Sequence, residues 1–109
     1  MKLYSIENIP GVKIEEVLGL VKGEVVQSKH LGKDLLAGFK TIVGGEIRGY
    51  TEMISEARGI ATQRMIDEAK KLGANAIIGI RYGSSEVMEG SAEILAYGTA
   101  VKIKENSKN

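Results

Sequence analysis

Few side chains in this 109-residue sequence could do chemistry, and their spacing narrows the options further. Glu52 and Glu56 are four residues apart within a helical pattern, so both carboxylates project from one helix face. Such a pair could bind a hard divalent cation or act as acid and base. The plainer reading is a solvated face near a helix N-terminus, where the dipole favours acids. Glu46, directly after a glycine pair, either joins these carboxylates or begins the helix. His30 is the one histidine, so it offers a single nitrogen ligand per chain. It becomes a metal site only where a symmetric assembly gathers several copies, and is otherwise an exposed or capping histidine.

Arg58 flanks the apolar stripe of the same helix and suits an anion or a neighbouring subunit's carboxylate. Arg64 and Glu68, again four apart, fall close to that stripe. They read either as part of a ligand pocket at a subunit boundary or as an i,i+4 ion pair contributing a few tenths of a kcal/mol, on the order of 0.3. With no cysteine in the chain, disulfides, thiol catalysis and thiolate metal sites all drop out. Gly44-Gly45 matches neither nucleotide-binding glycine pattern. Ser84 and Ser85 have no base near them in sequence.

Charge and composition exclude further classes. Fifteen basic against fourteen acidic residues leave a net charge of +1, and the charges are interleaved rather than gathered on a basic face. One Phe, four Tyr and no Trp are too few for a base-stacking platform. Nucleic acid is therefore not an expected partner. No apolar run approaches the ~18 residues of a spanning helix, so no membrane partner is expected. The opening Met1-Lys2-Leu3-Tyr4-Ser5-Ile6 lacks the apolar region of a secretory signal, which makes the cytoplasm the expected location.

The elements that must position these groups follow from periodicity. Lys2 to Ile9 reads as an extended lead-in closed by a turn at Ile9-Pro10-Gly11. Val12 to Gln27, rich in Val and Ile, reads as a long bent strand, with Gly19 and Gly23 kinking it or admitting a neighbouring backbone. Leu31 to Val43 has helical spacing and predicts a first helix stopped by Gly44-Gly45. A second helix is predicted from Glu46 or Tyr50 to Leu72. Its stripe comprises Tyr50, Met53, Ile54, Ala57, Ile60, Ala61, Met65, Ala69 and Leu72, and Gly73 ends it. Ile66 lies off that stripe and implies a second, smaller contact.

Ala76 to Ile80 reads as a doubly buried strand continued by Arg81 to Met88. A turn at Glu89-Gly90-Ser91 leads into a return strand from Ala92 to Lys104, completing a hairpin. In that strand Ile94 and Ala96 point one way, and Leu95, Tyr97, Val101 and Ile103 the other. The expected fold is α+β: a long bent strand, two helices and a C-terminal β-hairpin, one domain over residues 1–104 with a polar tail at 105–109. Helices on one side cannot cover both apolar faces of the hairpin, so association of identical copies is expected.

Several separated motifs together resemble the YbjQ-like family. They are Asp34, Ala37-Gly38 and Ile42-Val43-Gly44-Gly45-Glu46, then Tyr50-Thr51-Glu52-Met53, Glu56-Ala57-Arg58 and Ala61. Leu72-Gly73-Ala74-Asn75-Ala76-Ile77-Ile78-Gly79 and Gly98-Thr99-Ala100-Val101 complete the pattern, which spans Gly11 to Lys104. The resemblance implies an α+β domain assembled as a ring-like homo-oligomer, a pentamer or two stacked pentamers. It also implies a heavy-metal-binding label on a family of otherwise unknown function. Without cysteine, a soft-metal thiolate site is not available to this chain.

Two functions compete. One is a non-catalytic oligomeric binding module that holds a divalent metal cation or small ligand at subunit boundaries. The other is an enzyme with an interfacial carboxylate and arginine site, for example Glu52, Glu56 and Arg58. A purely structural assembly unit is the third reading. The poverty of catalytic groups favours the binding module.

Overall fold

The structure is a computed structural model, and it describes residues 1–28, 42–43 and 46–106. Its framework is one long strand, one long helix and a hairpin. Strand β2 (Val12–Ser28) is the bent strand expected from its Val and Ile content. Strands β5 (Ala76–Met88) and β6 (Ser91–Glu105) form the predicted hairpin, and β6 runs one residue beyond the expected end. The short β1 (Lys2–Leu3) completes a four-stranded sheet in the order β1-β5-β6-β2. β1 pairs in parallel with β5, while β5–β6 and β6–β2 are antiparallel, so the sheet is mixed.

The bend in β2 has a structural cause. Its pairing with β6 shifts register between Ile14 and Glu16 and again between Val17 and Gly19. Each bulge puts an extra residue on β2, which curves the longer strand around the shorter. A third shift, between Ile78 and Arg81 on β5, contains Gly79 at φ 62°. This last bulge matters for the candidate site.

Helix α1 (Arg48–Lys71) is the second predicted helix, within the expected bounds. Lys70 and Lys71 occupy its last turn, where the macrodipole favours cations. Gly73 then donates to the Lys70 carbonyl and Ala74 to the Ala69 carbonyl, the paired bonds of a Schellman stop. The helix lies across β2 and β6. Ala57, Ala61, Met65 and Ala69, spaced by four, are fully buried against Val21, Val25, Ile77, Ile80, Ile94, Ala96 and Ala100. Ile66 packs partly against this same core rather than making a separate contact, and Leu72 is exposed.

Small residues let the helix come close. A Cβ at Gly23 would strike the Ala61 carbonyl oxygen and lie 2.6 Å from the Met65 nitrogen. Both obstacles are helix backbone, so Gly23 admits α1 to the sheet, one of the two roles expected for it.

Of the two expected helices, the described residues hold the second. Among the described residues α1 is the one helix, and Ile42–Val43, predicted as the end of a helix, form strand β3 instead. β3 pairs antiparallel with β4 (Glu46–Ile47), with Val43 opposite Glu46 across the glycine pair. The β-branched pair Ile42-Val43 suits a strand as well as a helix end, and the helical periodicity could not decide between them. The remainder of the predicted first helix and Gly44-Gly45 lie outside the described residues.

The second face of the sheet has a cover that periodicity did not show. Ala76, Ile78, Val101 and Ile103 form a separate cluster, with Tyr4, Ile9, Val12 and Ile14 packed on it. The lead-in after β1 is held there by backbone bonds from Tyr4 to Ile77, Gly79 to Ile6 and Ile80 to Tyr4. The Arg81 guanidinium adds a bond to the Ser5 carbonyl at 2.7 Å. Asn75 closes the same end: its side-chain amide donates to the Ile103 carbonyl at 2.9 Å and accepts from the Ile103 amide at 2.8 Å.

Candidate functional site

The predicted site residues of α1 fall into three situations. Glu52 and Glu56 are exposed on its N-terminal half, as a solvated pair. His30 lies outside the described residues. Among the described residues no group of three or more His, Asp or Glu side chains comes together as a metal cluster.

Arg64 and Glu68 do not pair with each other among the described residues. The Arg64 guanidinium donates to the Glu24 carbonyl at 2.6 Å, and the Glu68 carboxylate accepts from the Lys22 amide at 3.3 Å. Both bonds fall on β2, an edge strand, on either side of Gly23. Lys22 and Glu24 are two apart, so their backbone groups point the same way in the pleat. The two side chains therefore act as a short surrogate strand on that edge, which masks part of it from foreign strands. This is a different role from an i,i+4 ion pair.

Arg58 differs from these in facing a concave surface. It lines a cleft of about 190 Å³ between the first half of α1 and the upper hairpin, with Ile54, Tyr82, Gly83, Ser84 and Ile94 as the other walls. The cleft is braced by a short relay. Thr62 Oγ1 lies 2.7 Å from the Arg58 carbonyl and 2.8 Å from the Tyr82 hydroxyl. Thr62 has one proton, and the carbonyl can only accept, so Thr62 donates to Arg58 and Tyr82 donates to Thr62. Tyr82 thereby ties β5 to α1 and keeps only acceptor capacity towards the cleft.

Tyr82 was not legible as a site residue. Strict alternation from the buried Ile77 would direct Gly83, not Tyr82, towards α1. The extra residue in the Gly79 bulge shifts the phase by one, so Tyr82 pairs with Ala96 and Ser84 with Ile94 on the helix side. Gly79 in an otherwise apolar strand was the available signal. Among the described residues, Ser84 has no catalytic base as a cleft neighbour. A larger opening of about 370 Å³ around Asn8, Ile9, Pro10, Val12 and Ile14 carries no charged group that would orient a ligand.

The face opposite α1 completes the inventory. Cross-strand partners share a face, so Val17 lies with Val101, Leu20 with Thr99, Lys22 with Tyr97 and Glu24 with Leu95. The lead-in covers only the lower part. Above it Val17 (66%), Leu20 (69%), Val26 (60%) and Tyr97 (38%) remain exposed. Lys22 and Glu24 form an ion pair at 3.1 Å within this row. No helix among the described residues is long and apolar enough to cross a membrane.

A family model described as "Putative heavy-metal-binding" matches residues 1–104. A UPF0145 protein of Thermotoga petrophila is 62% identical over 104 residues, covering 95% of this chain and 98% of its own. A UPF0145 protein of Vibrio campbellii is 63% identical over 102 residues, covering 93% and 98%. A crystal structure from Pediococcus pentosaceus, a DUF74-family protein of unknown function, shares the fold at a TM-score of 0.60 and 18% identity. It covers 95% of this chain and 98% of its own. The agreement over nearly the whole length, and not any single motif, makes the conclusion plain: the chain belongs to the YbjQ family, whose UPF0145 members are functionally uncharacterised.

Proposed function

We propose that this protein is a self-associating binding module, a subunit of a ring-like homo-oligomer that binds a cation or small ligand at its subunit boundaries. The observation that carries the reading is the exposed apolar row Val17, Leu20, Val26 and Tyr97 on the face opposite α1. A soluble chain rarely leaves such a row facing water.

The dimensions support it. The Cα radius of gyration is 17.5 Å and the extents are 57 × 28 × 18 Å, against a radius of about 13 Å for a compact domain of this length. The long axis has the length of β2 itself, whose 17 residues at ~3.3 Å each span roughly 56 Å. Accessible surface is 7191 Å², where a compact monomer of this mass has about 5,900 Å². The difference, roughly 1,300 Å², exceeds the ~800 Å² that one partner contributes to a standard interface. The outer edge of β5 beyond Ile80 has no strand beside it among the described residues, so a head-to-tail contact is open to it, and such contacts close into rings. Five subunits per ring is the number the family resemblance implies.

The cation reading uses Glu52 and Glu56, with His30. Two carboxylates fall short of the six to eight oxygen ligands of calcium, so a neighbouring copy or water supplies the rest. Light scattering tests the assembly. A mass several times 11.7 kDa is expected, falling towards one chain in Leu20→Glu. A parent that stays at one chain's mass at every concentration overturns the proposal. Calorimetric titration with magnesium, calcium, manganese and zinc tests the cation, with loss of heat expected in Glu52→Gln and Glu56→Gln. Equal heats in parent and variants would remove these carboxylates from the reading.

A further inference from the structure

We infer that the cleft between α1 and the upper hairpin is a receptor for a small oxyanion, a carboxylate or phosphate, held by the Arg58 guanidinium and the Ser84 hydroxyl. The inference goes beyond the cation reading, concerns other residues, and does not require the assembly.

Among the described residues, Arg58 is the one charged side chain lining the cleft, and no carboxylate stands among its walls. Among the described residues Arg58 forms no ion pair, unlike Lys2 with Glu105, Lys22 with Glu24 and Lys102 with Glu16. Six residues further along the helix, Arg64 spends its guanidinium on the Glu24 carbonyl. Two arginines on one helix thus differ: Arg64 holds the sheet, and Arg58 offers an uncompensated cation to a concave surface.

The walls say what would satisfy it. Ile54 and Ile94 make one side apolar, and Ile94 is only 2% exposed. A low-polarity wall strengthens the attraction of a guanidinium for an anion over its value in open water. A planar guanidinium matches the two oxygens of a carboxylate or phosphate through parallel N–H donors, which a chloride ion cannot use. Ser84 can donate a further bond to such an oxygen, whereas Tyr82, its proton given to Thr62, can only accept. A protonated phosphate oxygen or a ligand hydroxyl would suit Tyr82.

Size and rigidity limit the ligand. The cleft's 190 Å³ or so holds about six waters at roughly 30 Å³ each. That accommodates phosphate or a carboxylate of a few carbons within the cleft. The relay from Tyr82 through Thr62 to the Arg58 carbonyl fixes the backbone that carries the guanidinium. Such preorganisation lowers the ordering cost of binding.

The test is calorimetric titration of the full chain, in chloride buffer at constant ionic strength, with inorganic phosphate in one arm and malonate in the other. Saturable binding is expected in at least one arm, which also identifies the anion class. Arg58→Gln should weaken it about 10-fold or more. Arg58→Lys, which keeps the charge without the fork, should fall between, and Ser84→Ala should weaken it about 3-fold. Thermal unfolding and solution mass are measured on each variant. Folded Arg58→Gln of parental mass with lost binding supports the site. If neither anion binds the parent above the chloride background, or if Arg58→Gln binds like the parent, the inference is overturned. A parent that binds neither anion, with a changed mass in Arg58→Gln, would assign Arg58 to a subunit contact instead.

Discussion

The two faces of the sheet are made of similar residues and end in different environments. Beneath α1, Val21, Ile77, Ala96 and Ala100 are wholly buried, because a helix lined by Ala57, Ala61 and Ala69 lies directly on Gly23. Opposite, only the lower part is closed, where Tyr4, Ile9, Val12 and Ile14 pack over Val101 and Ile103. Above that cover, Val17, Leu20 and Val26 face outwards. Apolar composition alone therefore does not produce burial; a covering element of suitable size must be within reach. The chain has one such helix among its described residues and one short lead-in, and together they leave part of a face open.

Substitutions can break or sharpen that contrast, and the largest effects belong under the helix. Met65→Ala should destabilise the fold by about 3–4 kcal/mol, since Met65 is fully buried and its removal leaves a cavity. Urea unfolding gives the value, and a loss under about 1 kcal/mol would mean that α1 packs loosely. Gly23→Ala should cost about 2–3 kcal/mol, because the added methyl meets helix backbone that can yield only by moving α1. A neutral result would show that the helix stands further off.

At the partly closed end, Asn75→Ala should cost about 2 kcal/mol. It strands both the amide and the carbonyl of Ile103, which the side chain now serves. Faster amide exchange confined to the Asn75–Ile103 end would accompany it. The smallest effect on the fold belongs to the open face. Leu20→Ala should shift the stability of the dissociated chain by no more than about 0.5 kcal/mol, while weakening association measured by light scattering. A large loss in the dissociated chain would show that Leu20 packs within its own subunit.

Much of the framework was legible. β2, α1 and the hairpin follow from Val and Ile content, a stripe at three- and four-residue spacing, and the turn at Glu89-Gly90. Gly73 announced the helix stop. What could not be read was phase. Gly79 inserts a residue into β5 and so turns Tyr82 and Ser84 to the helix side, which converts Arg58 from a flanking charge into a cleft wall. The four-residue spacing of Arg64 and Glu68 suits either a mutual ion pair or a shared pocket at a subunit boundary. Their actual partners lie forty residues or more away on β2, and no local spacing encodes that.

The sequence by itself determined the long strand, the long helix and the hairpin, because these follow from local propensity and short-range periodicity. Only the tertiary structure decided which apolar face each element covers, which edge Arg64 and Glu68 mask, and which hydroxyls stand beside Arg58. The reason is geometric. A single bulge or a missing Cβ changes the phase or the approach distance of an entire element, and its consequences appear only where distant parts of the chain meet.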